Sequence, residues 1–154
     1  MAGEGVVGNA CKAYYNSATH TTPTWVEMKD VMDLSLNLDK VKADVSTRGG
    51  WKRYRGGQKD VSIDFGYLHR EGADVILDLF LDSWLNGSPI EFAFMDQAIA
   101  AGDARGLIIY CEVFAMPQTQ DLDEGSKYDV SVAPTRVVDG TGAVIDPEFQ
   151  GMAP

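Results

Sequence analysis

The segment Met32-Asp33-Leu34-Ser35-Leu36-Asn37-Leu38-Asp39 alternates strictly between apolar and polar side chains. A period of two is typical of a β-strand that buries one side and exposes the other. The pattern therefore predicts that Met32 and the three leucines face a hydrophobic core, and that the aspartates, Ser35 and Asn37 lie on the opposite side. The strand is expected to span residues 25–39, with a short continuation over residues 43–47.

Further segments have the same character. Residues 60–67 alternate with Val61, Ile63 and Phe65 on the apolar side. Residues 90–95 are a strand candidate, and residues 107–116, apolar on both sides apart from Glu112, predict a central strand covered on both faces. Residues 127–133 alternate again, with Tyr128, Val130 and Val132 expected inward. Residues 118–126 are expected to form an acidic loop, and residues 136–145 a small hairpin around Asp139-Gly140.

Residues 71–86 change to helical spacing. Their apolar residues form a broad face that we expect to pack on the sheet, and Asn86-Gly87 followed by Pro89 is a typical helix end. The apolar face consists of Val75, Ile76, Leu77, Leu79, Phe80, Leu81 and Trp84. The acidic residues Glu71, Asp74, Asp78 and Asp82 cluster on about one quarter of the circumference. A solvated surface is the favoured interpretation of this acidic helix face.

The order of these elements predicts a mainly β (α+β) fold. We expect about seven strands and one helix after the third or fourth strand, arranged as an antiparallel β-sandwich or barrel with a flanking helix, a long hairpin loop and extended terminal arms. The chain divides into an irregular N-terminal arm (residues 1–24), a β-sandwich domain (25–135) and a C-terminal hairpin and tail (136–154).

The composition excludes several classes of function. No apolar run approaches the ~18 residues that span a bilayer, and the first residues lack the pattern of a secretory signal, so no membrane partner is expected. The net charge is −10, divided into +2 for residues 1–70 and −12 for residues 71–154. Such an acidic chain should repel nucleic acid in general. Two cysteines and two histidines leave little material for a disulfide scaffold or zinc chemistry.

No motif predicts an enzyme or a cofactor. Residues 3–8 match G-x-G-x-x-G, but no strand can precede them, as a dinucleotide site requires. Cys111 lies in the most apolar strand, where a thiol is usually inert. We therefore expect a non-enzymatic protein with no catalytic residues, metal or cofactor.

Residues 48–59 form an unusual segment in which basic and aromatic side chains alternate between two glycine pairs. Its members are Arg48, Trp51, Lys52, Arg53, Tyr54, Arg55 and Lys59. Nucleic-acid binding, a protein contact and a solvated loop are all compatible with this composition. The acidity of the remaining chain favours a protein contact, because a second copy offers complementary charge on the acidic helix face or the loop with Asp121, Asp123 and Glu124.

The polar sides of the alternating strands carry short acidic and hydroxyl side chains. They are Asp33, Ser35, Asn37, Asp39, Asp60, Ser62, Asp64, Asp129 and Ser131. If the strands share one sheet, these residues cover one face of it. Either this face is simply solvated, as is common, or it lines an aqueous channel in which negative charge keeps DNA from adhering.

Three stretches together resemble the major tail tube proteins of long-tailed phages and related phage-derived particles. They are residues 25–38, the run Ala-Asp-Val-Ser-Thr-Arg-Gly-Gly-Trp-Lys of residues 43–52, and Gly-Gln-Lys-Asp-Val-Ser-Ile of residues 57–63. The later helix and the strands near residues 107–116 and 127–134 follow in the family's order, so the likeness covers roughly residues 25–135.

The resemblance implies a β-sandwich subunit that forms six-membered rings, which stack into a tube. The nine polar residues would face the lumen, and residues 43–59 with the terminal arms would reach neighbouring subunits. The implied partners are other copies of the chain, a tape-measure protein, tail terminator and baseplate proteins, and double-stranded DNA in transit without tight binding. The implied location is the virion tail, assembled in the bacterial host cytoplasm.

Two alternatives remain open at this stage. One is another tail component of similar fold, such as a tail terminator or baseplate ring protein, which would form a single ring. The other is a nucleic-acid-binding β-barrel that uses the basic segment 48–59.

Overall fold

A computed structural model describes residues 12–69, 72–99, 104–121 and 125–150. Within these ranges the chain is mostly antiparallel β-sheet with one helix, which follows the fourth strand and confirms the expected fold class. The strands are β1 (Lys12–Asn16), β2 (Trp25–Glu27), β3 (Val31–Asp44), β4 (Tyr54–His69), β5 (Ile90–Met95), β6 (Gly106–Ala115), β7 (Gln118–Asp121), β8 (Gly125–Pro134) and β9 (Glu148–Gln150), and the helix is α1 (Val75–Asn86).

The sheet curls over on itself to enclose the core. Its strand order is β2-β1-β5-β6-β8-β4-β3, with β7 added to β8 and β9 added to β6. In a flat sheet β4 and β5 would lie about 14 Å apart, at three strand spacings. The rings of Phe65 on β4 and Phe92 on β5 are nevertheless only 6.4 Å apart. Phe80 of α1 contacts both rings, at 5.7 Å and 6.2 Å, so the helix closes the core.

Local chemistry fixes both ends of α1. The Asp74 carboxylate accepts a hydrogen bond from the Leu77 N–H and caps the first turn, and Gly87 ends the helix in a left-handed conformation with its N–H bonded to Ser83. The predicted apolar face is only partly buried. Leu77 and Phe80 enter the core, whereas Val75 is 72% exposed. Val75 is exposed because it lies about 140° around the helix from Phe80.

A β-bulge in β3 overturns part of the expected alternation. Met32 pairs with Gly66 and Ser35 with Asp64, so Asp33 and Leu34 together oppose a single residue. Asp33 takes a positive φ of 53° at this point. Because the extra residue shifts the parity, Met32 lies on the polar side and not with the leucines. The prediction that Met32 faces the core is therefore wrong.

The three leucines of β3 do not lie in the core either. Leu34, Leu36 and Leu38 are 38%, 37% and 57% exposed, although they occupy the side of the sheet that is buried further along β4. Leu38 lies beyond Ile63, where the pairing of β4 with β8 begins. Leu34 and Leu36 lie on β3, which pairs with β4 alone in the described residues. Alternation identified the strand correctly but could not show where its sheet neighbours end.

Four other sequence expectations need correction. Residues 12–16, expected in an irregular arm, form β1 with Tyr14 and Tyr15 buried against β5. Residues 118–121 form β7 instead of a loop, and residues 148–150 form β9 instead of a free tail. The helix begins at Val75, later than expected.

β6 is central, as predicted, but alternates between fully and partly buried residues. The hairpin around Asp139 is confirmed by its bridge between Val138 and Val144.

Candidate functional site

One face of the strands β3, β4 and β8 is built from short polar side chains, and we call it the polar face. The pairing places Ser35 and Ser131 on either side of Asp64. Residues directly opposite in antiparallel strands share a face. The nine polar residues that the alternation singled out therefore lie together: Asp33, Ser35, Asn37, Asp39, Asp60, Ser62, Asp64, Asp129 and Ser131.

The polar face is acidic and largely without internal compensation. Asp39 lies directly opposite Asp60, and both side chains are exposed. Like charges opposite each other destabilise a strand pair. Ser131 Oγ donates a hydrogen bond of 2.7 Å to Asp64 Oδ1. The Asp39–Asp60 pair therefore does not favour the stability of a single chain.

Lys127 is a cation on this face that the sequence analysis missed. Its Nζ lies 3.7 Å from Asp33 Oδ2 and 3.9 Å from Asp129 Oδ1. Gly66 makes room for it, since a β-carbon there would lie 2.6 Å from Lys127 Cε. These side chains border a shallow depression of about 310 Å³. Such exposed ion pairs contribute only about 0–1 kcal/mol, so Lys127 reduces the negative charge of the face without removing it.

The distal part of the β3–β4 hairpin projects from the sheet as a two-stranded ribbon, defined here as residues 37–44 and 54–62. Pairing of β4 with β8 begins only at Ile63, so the ribbon strands pair with each other alone within the described residues. A two-stranded hairpin is marginally stable in water without further packing. The ribbon nevertheless has eight residues on one strand and nine on the other.

The ribbon and its tip, residues 45–53, expose large side chains. Val41 is 59% exposed, Trp51 77% and Tyr54 47%. Exposed apolar clusters on soluble proteins usually mark interaction sites. The predicted inter-subunit loop is divided by the structure: Arg48, Trp51, Lys52 and Arg53 lie in the tip, whereas Tyr54, Arg55 and Lys59 belong to β4.

Lysines on β3 add to the basic character of this hairpin. Lys42 Nζ lies 4.1 Å from the centre of the Tyr54 ring, and Lys40 pairs across the ribbon with Lys59. Residues 40–59 hold seven of the 13 basic residues and one of the 23 acidic ones, a net charge of +6. The rest of the chain consequently carries −16. Both β3 lysines fall outside the segment that the sequence analysis had singled out.

The acidic helix face is only partly formed. Asp78 and Asp82 are exposed on α1, whereas Glu71 lies outside the described residues. The expectation that Asp74 belongs to the acidic helix face is wrong. Its side chain is only 12% exposed and accepts hydrogen bonds from Tyr67 and His69 as well as from Leu77. Asp74 is a helix cap and not part of the acidic helix face. Of the acidic loop, residues 122–124 likewise lie outside the described ranges.

A buried carboxylate elsewhere in the fold has a structural role. Glu91 on β5 is 3% exposed; its Oε2 lies 2.5 Å from His20 Nδ1, and its Oε1 accepts a hydrogen bond from Asn16 Nδ2. Burial, and then the charge of Glu91, raise the pKa of Tyr110. The cluster ties the segment after β1 to β5 and β6.

The described ranges contain no cluster of three or more ligands that could hold a metal ion. Over the same residues, no helix is both long and apolar enough to cross a membrane. Cys111 is fully buried, and this burial raises the pKa of its thiol to about 12. A thiol in that state is a poor nucleophile.

Comparison with known proteins gives structural matches only. No family model matches the chain, and no curated protein matches its sequence. The SPP1 tail tube superposes with a TM-score of 0.72 at 14% identity, over 96% of this chain and 80% of the other.

Two further solved structures show the same similarity. The tail of an empty gene transfer agent particle, solved with C6 symmetry, gives a TM-score of 0.63 at 13% identity, over 91% of this chain and 97% of the other. The six-fold symmetrised baseplate of the anti-feeding prophage gives 0.61 at 10% identity, over 98% of both chains. At these identities the comparisons establish a shared fold.

Proposed function

We propose that this chain is a structural subunit of a phage-type tail tube, which assembles into stacked six-membered rings around a channel for double-stranded DNA. The observation that carries the proposal is the projecting ribbon, with its exposed apolar and basic side chains and no packing partner in the described part of the subunit. The shared fold with the SPP1 tail tube supports the same conclusion. The six-fold symmetry of two other structures of this fold supports the ring size.

The sheet offers two edges that could join copies side by side. In the described residues, β3 bonds to β4 alone and β7 to β8 alone, so the strands β3, β4, β8 and β7 form a patch with an open edge at each side. Open edges readily pair with strands of another chain. Pairing of β3 in one copy with β7 in the next would continue the sheet around a ring and turn every polar face toward the same lumen.

The polar face suits a DNA channel because it repels phosphate. Five aspartates and one lysine leave a local charge of −4, and Ser35, Ser62 and Ser131 are short side chains that leave space. DNA affinity arises largely from cations that neutralise phosphates, and an acidic surface lacks them. We therefore place the nine residues of the polar face on the lumen, where DNA passes without tight binding. A tape-measure protein would occupy the same lumen during assembly.

The proposal is tested by electron microscopy of the concentrated, purified chain. Wild-type protein should form tubes with stacked six-fold rings. Trp51→Ala combined with Arg53→Glu removes an exposed aromatic residue and a cation from the hairpin tip, and should give a folded monomer that does not polymerise. The matched control, Tyr128→Phe combined with Lys29→Glu, changes an aromatic residue and a cation away from the tip, and should assemble normally. Normal tubes from the tip variant would show that the tip is not an assembly contact.

A second candidate is a ring component that does not stack, such as a tail terminator or baseplate protein. The anti-feeding prophage baseplate favours it, because the alignment covers 98% of both chains. Isolated rings in the same micrographs, with no tubes at any protein concentration, would support this candidate. A nucleic-acid-binding role predicts instead that the monomer shifts duplex DNA in a salt-dependent manner.

A further inference from the structure

We propose that Asn86 is a deamidation site whose reactivity is controlled by the end of α1. Asn86 precedes Gly87, whereas the other three asparagines of the chain precede alanine, serine and leucine. Asn-Gly is the sequence most prone to this reaction, because glycine has no side chain to hinder attack by its backbone nitrogen. The inference does not rest on the proposed function, since the reaction takes place within a single chain.

The reaction consists of two balanced steps. The Gly87 backbone nitrogen attacks the carbonyl carbon of the Asn86 side chain, loses its proton and displaces ammonia, which leaves a succinimide ring. Water then opens the ring. Attack of water on the former side-chain carbonyl gives aspartate, and attack on the backbone carbonyl gives isoaspartate. The reactants are the chain and water alone, so the local conformation decides the rate.

The folded end of α1 holds the reacting groups apart. The Gly87 N–H donates a hydrogen bond of 2.9 Å to the Ser83 carbonyl, and the left-handed φ of 71° at Gly87 completes the helix cap. Asn86 Nδ2 donates a hydrogen bond of 2.7 Å to Asp82 Oδ1, which fixes the side-chain amide along the helix. Ring closure turns the Gly87 nitrogen and the Asn86 amide toward each other, so both hydrogen bonds oppose it.

This protection is conditional, because the end of the helix is weakly anchored. Trp84 is 53% exposed and Leu85 is 69% exposed. Segments with few buried apolar contacts open locally at a low cost in free energy. Ser83, in contrast, is fully buried and bonded to the backbone N–H of Val113 on β6. Opening is therefore confined to residues 84–87, and it exposes the reactive pair while the rest of the chain stays folded.

The product carboxylate is poorly suited to this position. The last turn of α1 has no basic residue, and its end already lies close to Glu112, whose Oε1 would be 3.1 Å from a β-carbon at Gly87. Hydrogen bonds from Asn86 and Ser88 lower the pKa of Asp82. Deamidation replaces the first of these bonds by repulsion between carboxylates one turn apart. Isoaspartate also lengthens the backbone by one methylene group, so the modified helix end closes less well.

The experiment follows deamidation of Asn86 in the full chain by peptide mapping and mass spectrometry during incubation in neutral buffer. The native chain should react at least about tenfold more slowly than the chain unfolded in urea, because only the open fraction reacts. Leu85→Gly weakens the opening turn without touching the core, and its native reaction should be about fivefold faster than that of the matched control Leu85→Ala. In urea the two variants should react alike.

Two results would overturn the proposal. Equal rates for the native and unfolded wild-type chain would mean that the helix end does not protect Asn86. Equal native rates for Leu85→Gly and Leu85→Ala, or no reaction in either, would mean that opening of residues 84–87 does not lead to deamidation.

The effect of the product is measured separately with Asn86→Asp, and Asn86→Gln serves as the uncharged control. Hydrogen exchange at the backbone amides of residues 84–87 should be about threefold or more faster in Asn86→Asp, because the added carboxylate opposes the helix dipole and Asp82. Equal exchange in the two variants would contradict the inferred weakening of the helix end.

Discussion

A single carboxylate, Asp74, connects the start of α1 to the end of β4. It accepts hydrogen bonds from the Leu77 N–H at 3.0 Å, from the Tyr67 hydroxyl at 2.7 Å and from His69 Nδ1 at 3.2 Å. Burial opposes the charged form, but the hydrogen bonds from Leu77, Tyr67 and His69 outweigh it and lower the pKa of Asp74 below its usual 3.8. The cap therefore stabilises the fold in its ionised state.

This arrangement predicts a pH-dependent contribution to stability. Because the pKa of Asp74 is lower in the folded chain than in the unfolded one, its contribution is complete above pH 3.8 and is lost as the pH falls through the folded value. At pH 7 Asp74→Ala should lower the free energy of unfolding by about 1–2 kcal/mol. The difference from wild type should shrink as the pH falls below 3.8 in urea titrations.

The matched control for this prediction is Asp78→Ala, which removes an exposed carboxylate one turn along the same helix. It should change stability by no more than about 0.5 kcal/mol. Equal losses for Asp74→Ala and Asp78→Ala at pH 7 would contradict the capping role.

Some residue positions could be predicted from the sequence, and others could not. The polar row from Ser35 to Asp39, continued by Asp60 to Asp64, was predictable because a period of two needs only a regular strand. The side of the sheet on which Met32 lies was not predictable, because the alternating pattern of the sequence is the same with or without a bulge at Asp33. Lys127 was missed since its role depends on Gly66, a neighbour on another strand.

At the scale of elements, a buried polar contact adds to the apolar packing that holds α1 on the sheet. Ser83 is fully buried, and its Oγ accepts a hydrogen bond of 3.1 Å from the backbone N–H of Val113 on β6. It is a small polar residue on a helix face that is otherwise apolar. The contact fixes the position of the helix along β6, where Val113 is itself buried.

Replacement of this serine tests the docking of the helix. Ser83→Ala leaves the Val113 N–H buried without its acceptor, which should cost about 1–3 kcal/mol in the free energy of unfolding. Ser62→Ala, at an exposed position of the ribbon, serves as the control and should be nearly neutral. Thermal or urea unfolding of both variants measures the difference. Neutral behaviour of Ser83→Ala would mean that water replaces the hydroxyl.

The secondary-structure elements differ in how well they could be predicted from their own sequence. The hairpin around Asp139 was predictable because Asp-Gly is a strong turn signal, and in the structure Asp139 Oδ1 accepts bonds from the backbone N–H groups of Thr141 and Ala143. β1 was not predictable, because Lys12–Asn16 is short and neither alternates nor has helical spacing. Its burial is decided by pairing with β5, about 80 residues away in the chain.

At the scale of the whole molecule, charge is segregated between the hairpin and the rest of the chain. The sequence showed that the first half is basic relative to the second, but the hairpin pairing was needed to bring Lys40 and Lys42 beside Arg55 and Lys59. The curl of the sheet could not be predicted either, because it depends on contacts such as Phe65 with Phe92 between distant strands.

The proposed lumen makes a prediction at this scale. Asp39→Lys combined with Asp60→Lys reverses a facing pair of charges on the polar face while keeping it polar and exposed. Tubes should still form, but they should now retain duplex DNA, with a salt dependence that reflects phosphate contacts. A DNA co-sedimentation assay on assembled tubes measures this. Asp78→Lys combined with Asp82→Lys gives the same change in net charge on α1, and should retain less DNA. Equal retention by the two variants would argue against the lumen assignment.

The weak internal support of the ribbon has a kinetic consequence. If a neighbour orders this strand pair, the first few copies must associate while each still bears the entropic penalty of fixing its own hairpin. Later copies meet a preformed template. Growth of the polymer would then show a lag phase, which short preassembled seeds would abolish. An initiating platform would therefore determine where and when elongation starts, in addition to the concentration of free chains.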